Sequence, residues 1–244
     1  MSALTTQAVK GFNTTQIGML TADALRALTV DQMAALKGTQ VVGFTLDQIG
    51  QLSSTQVGAL STSGVRGLTT AQLSAVGAAT ILGFNTQQVA ALSSSQVNGF
   101  TPNTLAAFSL DQVGVFNSFQ VSGLTVDQVG ALTSLQLGAL STVAVKGFNT
   151  ADIAVFDSID VTGFTTLELA VLTSRQIGAF TLNALPALGT DQVGALNSGQ
   201  ISGLTPDQIG VLTSLQIGAL STSAVKGLST IQIGVLNAID VQGL

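Results

Sequence analysis

Asp152, Asp157, Asp160 and Glu168 form the only local concentration of acid in a chain of 244 residues that carries 12 Asp and Glu in all. Paired carboxylates can serve as general acid and base. Several of them, alternating with carbonyls at short spacing, hold calcium. Their spacing here matches neither an EF-hand nor a glycine-rich nonapeptide. Asp152, Asp160 and Glu168 stand in a column otherwise dominated by Gln, and Asp157 in a column of Ser, Thr and Asn. They therefore read as substitutions within a repeated capping role. His and Cys are absent, which removes the common catalytic triads and zinc sites. The expectation is a non-enzymatic protein with no cofactor and no metal.

Arg26, Arg66, Lys146 and Lys226 recur at multiples of forty residues, with Ala106 and Pro186 in the gaps. If forty residues made one turn of a coil, these cations would form a stripe suited to an acidic polysaccharide or another anionic surface. The simpler reading is an exposed edge that tolerates long, solvated side chains. Regular Thr and Ser columns invite a comparison with an ordered lattice such as ice or a crystalline glycan. Their replacement by Asn at Asn13, Asn85, Asn117, Asn149, Asn197 and Asn237 fits helix capping better.

These residues sit in a fixed frame of eight. Stepping by eight from Leu4 to Leu244, every residue is Leu or Phe apart from Val76, which defines thirty octads. Counting each unit from the residue after that Leu or Phe, position five is always aliphatic, as in Val9, Ile17, Leu25 and Met33. Position one is Ser, Thr, Asn or Asp in 27 units, and position four is Gln in 18. A hydroxyl or amide followed three residues later by Gln is a capping box, in which each side chain satisfies an orphan N–H of the other residue. The Leu or Phe before the cap and the aliphatic at position five form the matching hydrophobic staple. Asp at position three, as in Asp23, Asp31 and Asp47, suits the positive end of a helix dipole.

The pattern predicts an all-α solenoid of very short capped helices, one per octad, each about six or seven residues and roughly 10 Å long. Such helices are too short to form alone, so neighbouring repeats are the partners on which stability depends. Gly and Ala at positions six and seven would allow close approach and ease the turns. The alternative is a β-solenoid, suggested by Val, Ile and Gly. Against it, the apolar columns lie three residues apart, the spacing of one helical face, not of a strand.

A longer period is superimposed: six 40-residue blocks begin at residues 5, 45, 85, 125, 165 and 205. The third octad of each lacks Gln at position four (Ala24, Gly64, Thr104, Ala144, Ala184, Ala224). The fifth ends in Gly (Gly43, Gly83, Gly123, Gly163, Gly203, Gly243). One reading makes five units a structural turn, with equivalent octads stacked; the other makes the block a duplication unit only. No linker interrupts residues 4–244, a single continuous array. Pro102 and Pro206 occupy the first helical position, where proline is well tolerated, whereas Pro186 should distort its unit.

Composition bounds the partners. No apolar run approaches the roughly 18 residues of a membrane-spanning helix, so membrane insertion is not expected. A net charge of -5 with seven scattered Lys and Arg disfavours nucleic acid. Met1-Ser2-Ala3 runs straight into the repeat, with no visible cleavable signal.

Segments such as LTVDQVGALTSLQLGALST and LTPDQIGVLTSLQIGALST resemble the octapeptide repeats of very large bacterial secreted or cell-surface proteins of adhesin or haemagglutinin-like type. The resemblance spans Leu4 to Leu244. It implies export, an extracellular or cell-surface location, and a stalk or adhesive role as a segment of a larger array; a cytoplasmic location is the alternative. Two functions follow as expectations. The first is a structural or adhesive scaffold, with self-association or extracellular polysaccharide or protein as partner. The second is a specific protein- or glycan-binding solenoid.

Overall fold

A computed structural model describes residues 4–243. Expectations for Met1-Ser2-Ala3 and for Leu244 lie outside the described residues. Among the described residues every octad contributes a helical segment and none contributes a strand, so the architecture is all-α and the β-solenoid is set aside. The segments run to only four to six residues where α-helical, as in Gly38–Val41 and Ser54–Ala59. This is shorter than the six or seven expected, because the chain returns to extended geometry one residue before each new cap, as at Leu60.

Local chemistry sets each start. In the helix Leu46–Gly50 the Thr45 hydroxyl accepts from the Gln48 N–H at 3.2 Å, while the Gln48 Oε1 accepts from the Thr45 N–H at 2.8 Å. The same reciprocal box opens Leu110–Gly114 from Ser109 and Ser198–Ser202 from Asn197. Both staple columns are buried, for example Phe44 with Ile49 and Leu204 with Ile209. Pro102 and Pro206 take the first helical position. Pro186 lies in the 3-10 segment Leu185–Ala187, but Ala144–Gly147 and Asp160–Gly163 tighten in the same way without proline. All three of these octads lack Gln at position four.

The chain divides into two compact units, Met1–Ala131 and Leu132–Leu244. Within each, a helix packs against the helix three octads away: Val30–Ala34 on Ser54–Ala59 in the first unit, Thr190–Gly194 on Ser214–Gly218 in the second. Hydrogen bonds link octads four apart. A turn therefore takes between three and four units, with close neighbours 25 to 31 residues apart. This corrects the expectation of five units and forty residues per turn. The 40-residue period is a repeat of sequence that does not stack on itself.

The period nevertheless acquires a packing role. In each block the second and fifth octads are three units apart and so meet in successive turns. A Cβ added to Gly123 would lie 2.7 Å from the Ser94 Cβ, and one added to Gly203 would lie 2.7 Å from the Ser174 carbonyl oxygen. In the return direction, Gly58 abuts the Gly83 carbonyl and Gly178 that of Gly203. Among the described residues no glycine has a positive φ, so these glycines serve close approach and do not ease turns. Phenylalanines of the Leu/Phe column fill the centre edge to face, as Phe100–Phe108–Phe116 in the first unit and Phe148–Phe156–Phe164 in the second, with centroids 5.3 to 5.6 Å apart.

Candidate functional site

The most ordered polar constellation is the Gln column. Gln16 is exposed, but from Gln32 onward each Gln of the column is buried and its two amide atoms act in opposite directions. The Oε1 caps its own helix. The Nε2 crosses to the preceding turn and donates to carbonyls of the octad four units earlier, most often those at positions five and eight, though Gln176 reaches position eight alone and Gln208 positions six and eight. Gln40 reaches Val9 O at 3.0 Å and Phe12 O at 2.8 Å. Gln96 reaches Val65 O and Leu68 O at 3.0 and 2.8 Å. In the second unit Gln200 reaches Leu169 O and Leu172 O, both at 2.7 Å. Sequence reasoning found the cap and missed the crossing bond. The available signal was Gln itself: a cap needs only an acceptor, which Glu supplies, whereas the preference for the amide points to a second, donating task.

Carboxylates in this column lack that donor. Asp152 Oδ2 accepts from the Asn149 N–H at 2.8 Å, and Glu168 Oε2 accepts from the Thr165 N–H and hydroxyl at 2.6 and 2.9 Å. The other oxygens, Asp152 Oδ1 and Glu168 Oε1, are buried without a hydrogen-bond partner. Burial pushes both carboxyls above their ordinary range, against the lowering effect of the capping N–H. Asp160 is also raised, by burial and then by the neighbouring Asp157 carboxylate, against the cap bond from the Asp157 N–H. Asp157 is itself an N-cap, its Oδ1 accepting from the N–H groups of Ile159 and Asp160. The four acids thus occupy capping positions, and no group of three or more potential ligands among the described residues converges for a metal ion.

The basic column does not assemble as a stripe within either unit. A step of forty residues is neither one turn nor two when turns repeat at about 28 residues. Arg26 pairs with the exposed Asp23 at 3.1 Å, and Arg66 Nε donates to Ala91 O at 3.3 Å. Lys146 and Lys226, both exposed, belong to the second unit and lie eighty residues apart. A shallow depression in the first unit is lined by Thr70, Ser94, Ser95, Asn98 and Gly123. Its Asn98 amide is already committed to Gly123 O at 2.8 Å.

Position three distinguishes the two units. In the first it is mostly polar or small, and Phe119, 77% exposed, is its one large apolar side chain. In the second, Leu135, Val143, Ile159, Leu167, Leu215 and Ile231 all stand exposed there. The reading of the sequence did not group this second set.

No curated protein matches the chain. A family model for the ALTTAQ repeat matches residues 169–206 and again 185–222, a shift of two octads, so this stretch of the second unit is similar to ALTTAQ repeats.

Proposed function

We propose that the chain is a non-enzymatic structural scaffold, a segment of a larger bacterial secreted or cell-surface protein that supplies length and a regularly repeated surface. The observation that carries this reading is the Gln column. The largest investment of buried polar groups goes into joining each turn to the one before it, through Gln Nε2 to backbone carbonyls, and not into a cleft. Such bonds require only that another unit follow, so the array can lengthen one octad at a time with the same interface, as solenoids do. Repetition then gives multivalency, by which weak surface contacts add.

Solution scattering on chains in which residues 165–204 are deleted or duplicated tests this proposal. A scaffold lengthens in equal steps with each block. A largest dimension that fails to change with block number overturns it.

The exposed aliphatics of the second unit favour one further reading, a protein-contacting surface. Ile159 and Leu167 follow Leu135 by 24 and 32 residues, three and four octads, so these two neighbouring side chains fall one turn after it. Replacing all three by Ser should leave a pure spacer unaltered in solubility and self-association, whereas a contact surface should lose association measured by sedimentation.

A further inference from the structure

Glu168 is the only glutamate in the chain, and it stands where the ladder requires a donor. In the second unit the position-four residue faces the carbonyls 31 and 28 residues earlier. Gln192 bonds Val161 O and Phe164 O at 2.9 and 2.6 Å, and Gln200 repeats this on Leu169 O and Leu172 O. The same register assigns Leu137 O and Leu140 O to Glu168. Glutamate and glutamine have the same length, so Oε1 takes the place of Nε2. It is buried, in a residue only 1% exposed, and it has no partner. An ionised carboxylate can only accept hydrogen bonds, and two carbonyl oxygens offer it none. A protonated carboxyl has one O–H to donate.

We propose that Glu168 is held as a neutral acid whose Oε1–H replaces the Gln amide in bonding the preceding turn, making this turn of the second unit a pH-sensitive joint that loosens as the carboxyl ionises.

The surroundings support a neutral group. The bonds to the carboxyl come from Thr165 alone and engage Oε2. Charged groups on the adjoining elements are Lys146 on Ala144–Gly147, Asp157 and Asp160 at Asp160–Gly163, Arg175 on Ser174–Ile177 and Asp191 on Thr190–Gly194; Ser134–Ala139 and Ser198–Ser202 carry none. Lys146, Asp157, Arg175 and Asp191 are exposed, and none of the five bonds the carboxyl. Burial is accordingly the largest influence on it, and it acts upward from the ordinary 4.5. A carboxyl whose value rises on folding binds its proton more tightly in the folded state. Its contribution is complete below 4.5 and is lost as pH climbs through the raised folded value. Asp152 repeats the pattern one methylene shorter, with Oδ1 free and buried.

The test uses the full chain. With carboxyl-carbon labelling confined to glutamate, the single side-chain resonance should titrate with a midpoint well above 4.5. In urea unfolding, E168Q should match the parent below pH 4, exceed it increasingly as pH climbs toward the folded midpoint, and keep a constant lead above that midpoint. The gap should reach tenfold in the folded-to-unfolded ratio for each pH unit by which the midpoint exceeds 4.5. A midpoint at or below the ordinary value overturns the proposal, and so do parallel stability profiles for the parent and E168Q. D152N, measured alongside, isolates the share due to Asp152, which persists in E168Q.

Discussion

At the scale of the residue, glutamine at position four combines two tasks that other side chains do only singly. Its oxygen caps a helix too short to form alone, and its nitrogen satisfies carbonyls of the turn below. Removing it leaves buried groups without partners, and each such loss costs about 1–3 kcal/mol. Gln200→Ala frees the Asn197 N–H and the Leu172 carbonyl, so we expect a loss of about 2–6 kcal/mol in urea denaturation. Gln200→Glu keeps the cap and removes the constant donor. It should approach the parent near pH 4 and fall progressively behind toward pH 8, because its buried carboxyl must then ionise opposite carbonyls. The box at this position was legible in the sequence, since both of its partners are three residues apart. The crossing bond was not, because its partner lies 28 residues away and depends on how many units complete a turn.

At the scale of the element, caps and small residues decide where helices begin and how closely they approach. Thr205 accepts from the Gln208 N–H at 3.2 Å, so Thr205→Ala should cost about 1 kcal/mol, read as a lowered unfolding midpoint. Two glycines of the second unit should respond in opposite directions. Gly203→Ala places a methyl 2.7 Å from the Ser174 carbonyl oxygen and 2.8 Å from its Cβ; overpacking of this kind costs about 1–3 kcal/mol. Gly210 ends the helix Pro206–Gly210 with open space around its Cβ position. Gly210→Ala should therefore stabilise by about 0.4–1 kcal/mol through the unfolded chain. The glycines were visible as a column in the sequence, and of the two causes read there close approach holds while ease of turning does not. Ease of turning needs only the residue itself, whereas close approach needs the opposing helix.

At the scale of the molecule, two periods coexist. The eight-residue period carries the Gln ladder, and the forty-residue period brings the Gly of the fifth octad against the small position two of the second. Deleting residues 165–204 preserves both registers. Deleting one octad, such as 197–204, preserves the ladder but shifts the glycine seam. Deleting four residues, such as 201–204, breaks both. Circular dichroism and urea midpoints should rank these variants in that order, the four-residue deletion losing cooperative unfolding.

From its own residues the chain determined that each octad would contribute a helix, nearly always capped by a Ser, Thr or Asn, which side chains would be buried, and that stability would be collective. All three follow from interactions within eight residues. Tertiary structure alone decided that a turn closes after three to four octads, which separated the basic residues expected to align, gave the Gln amide its second partner, and left one buried glutamate oxygen facing carbonyls. These depend on the angle between successive helices, a quantity set by how the Leu, Phe and Val side chains pack together, which no spacing along the chain encodes.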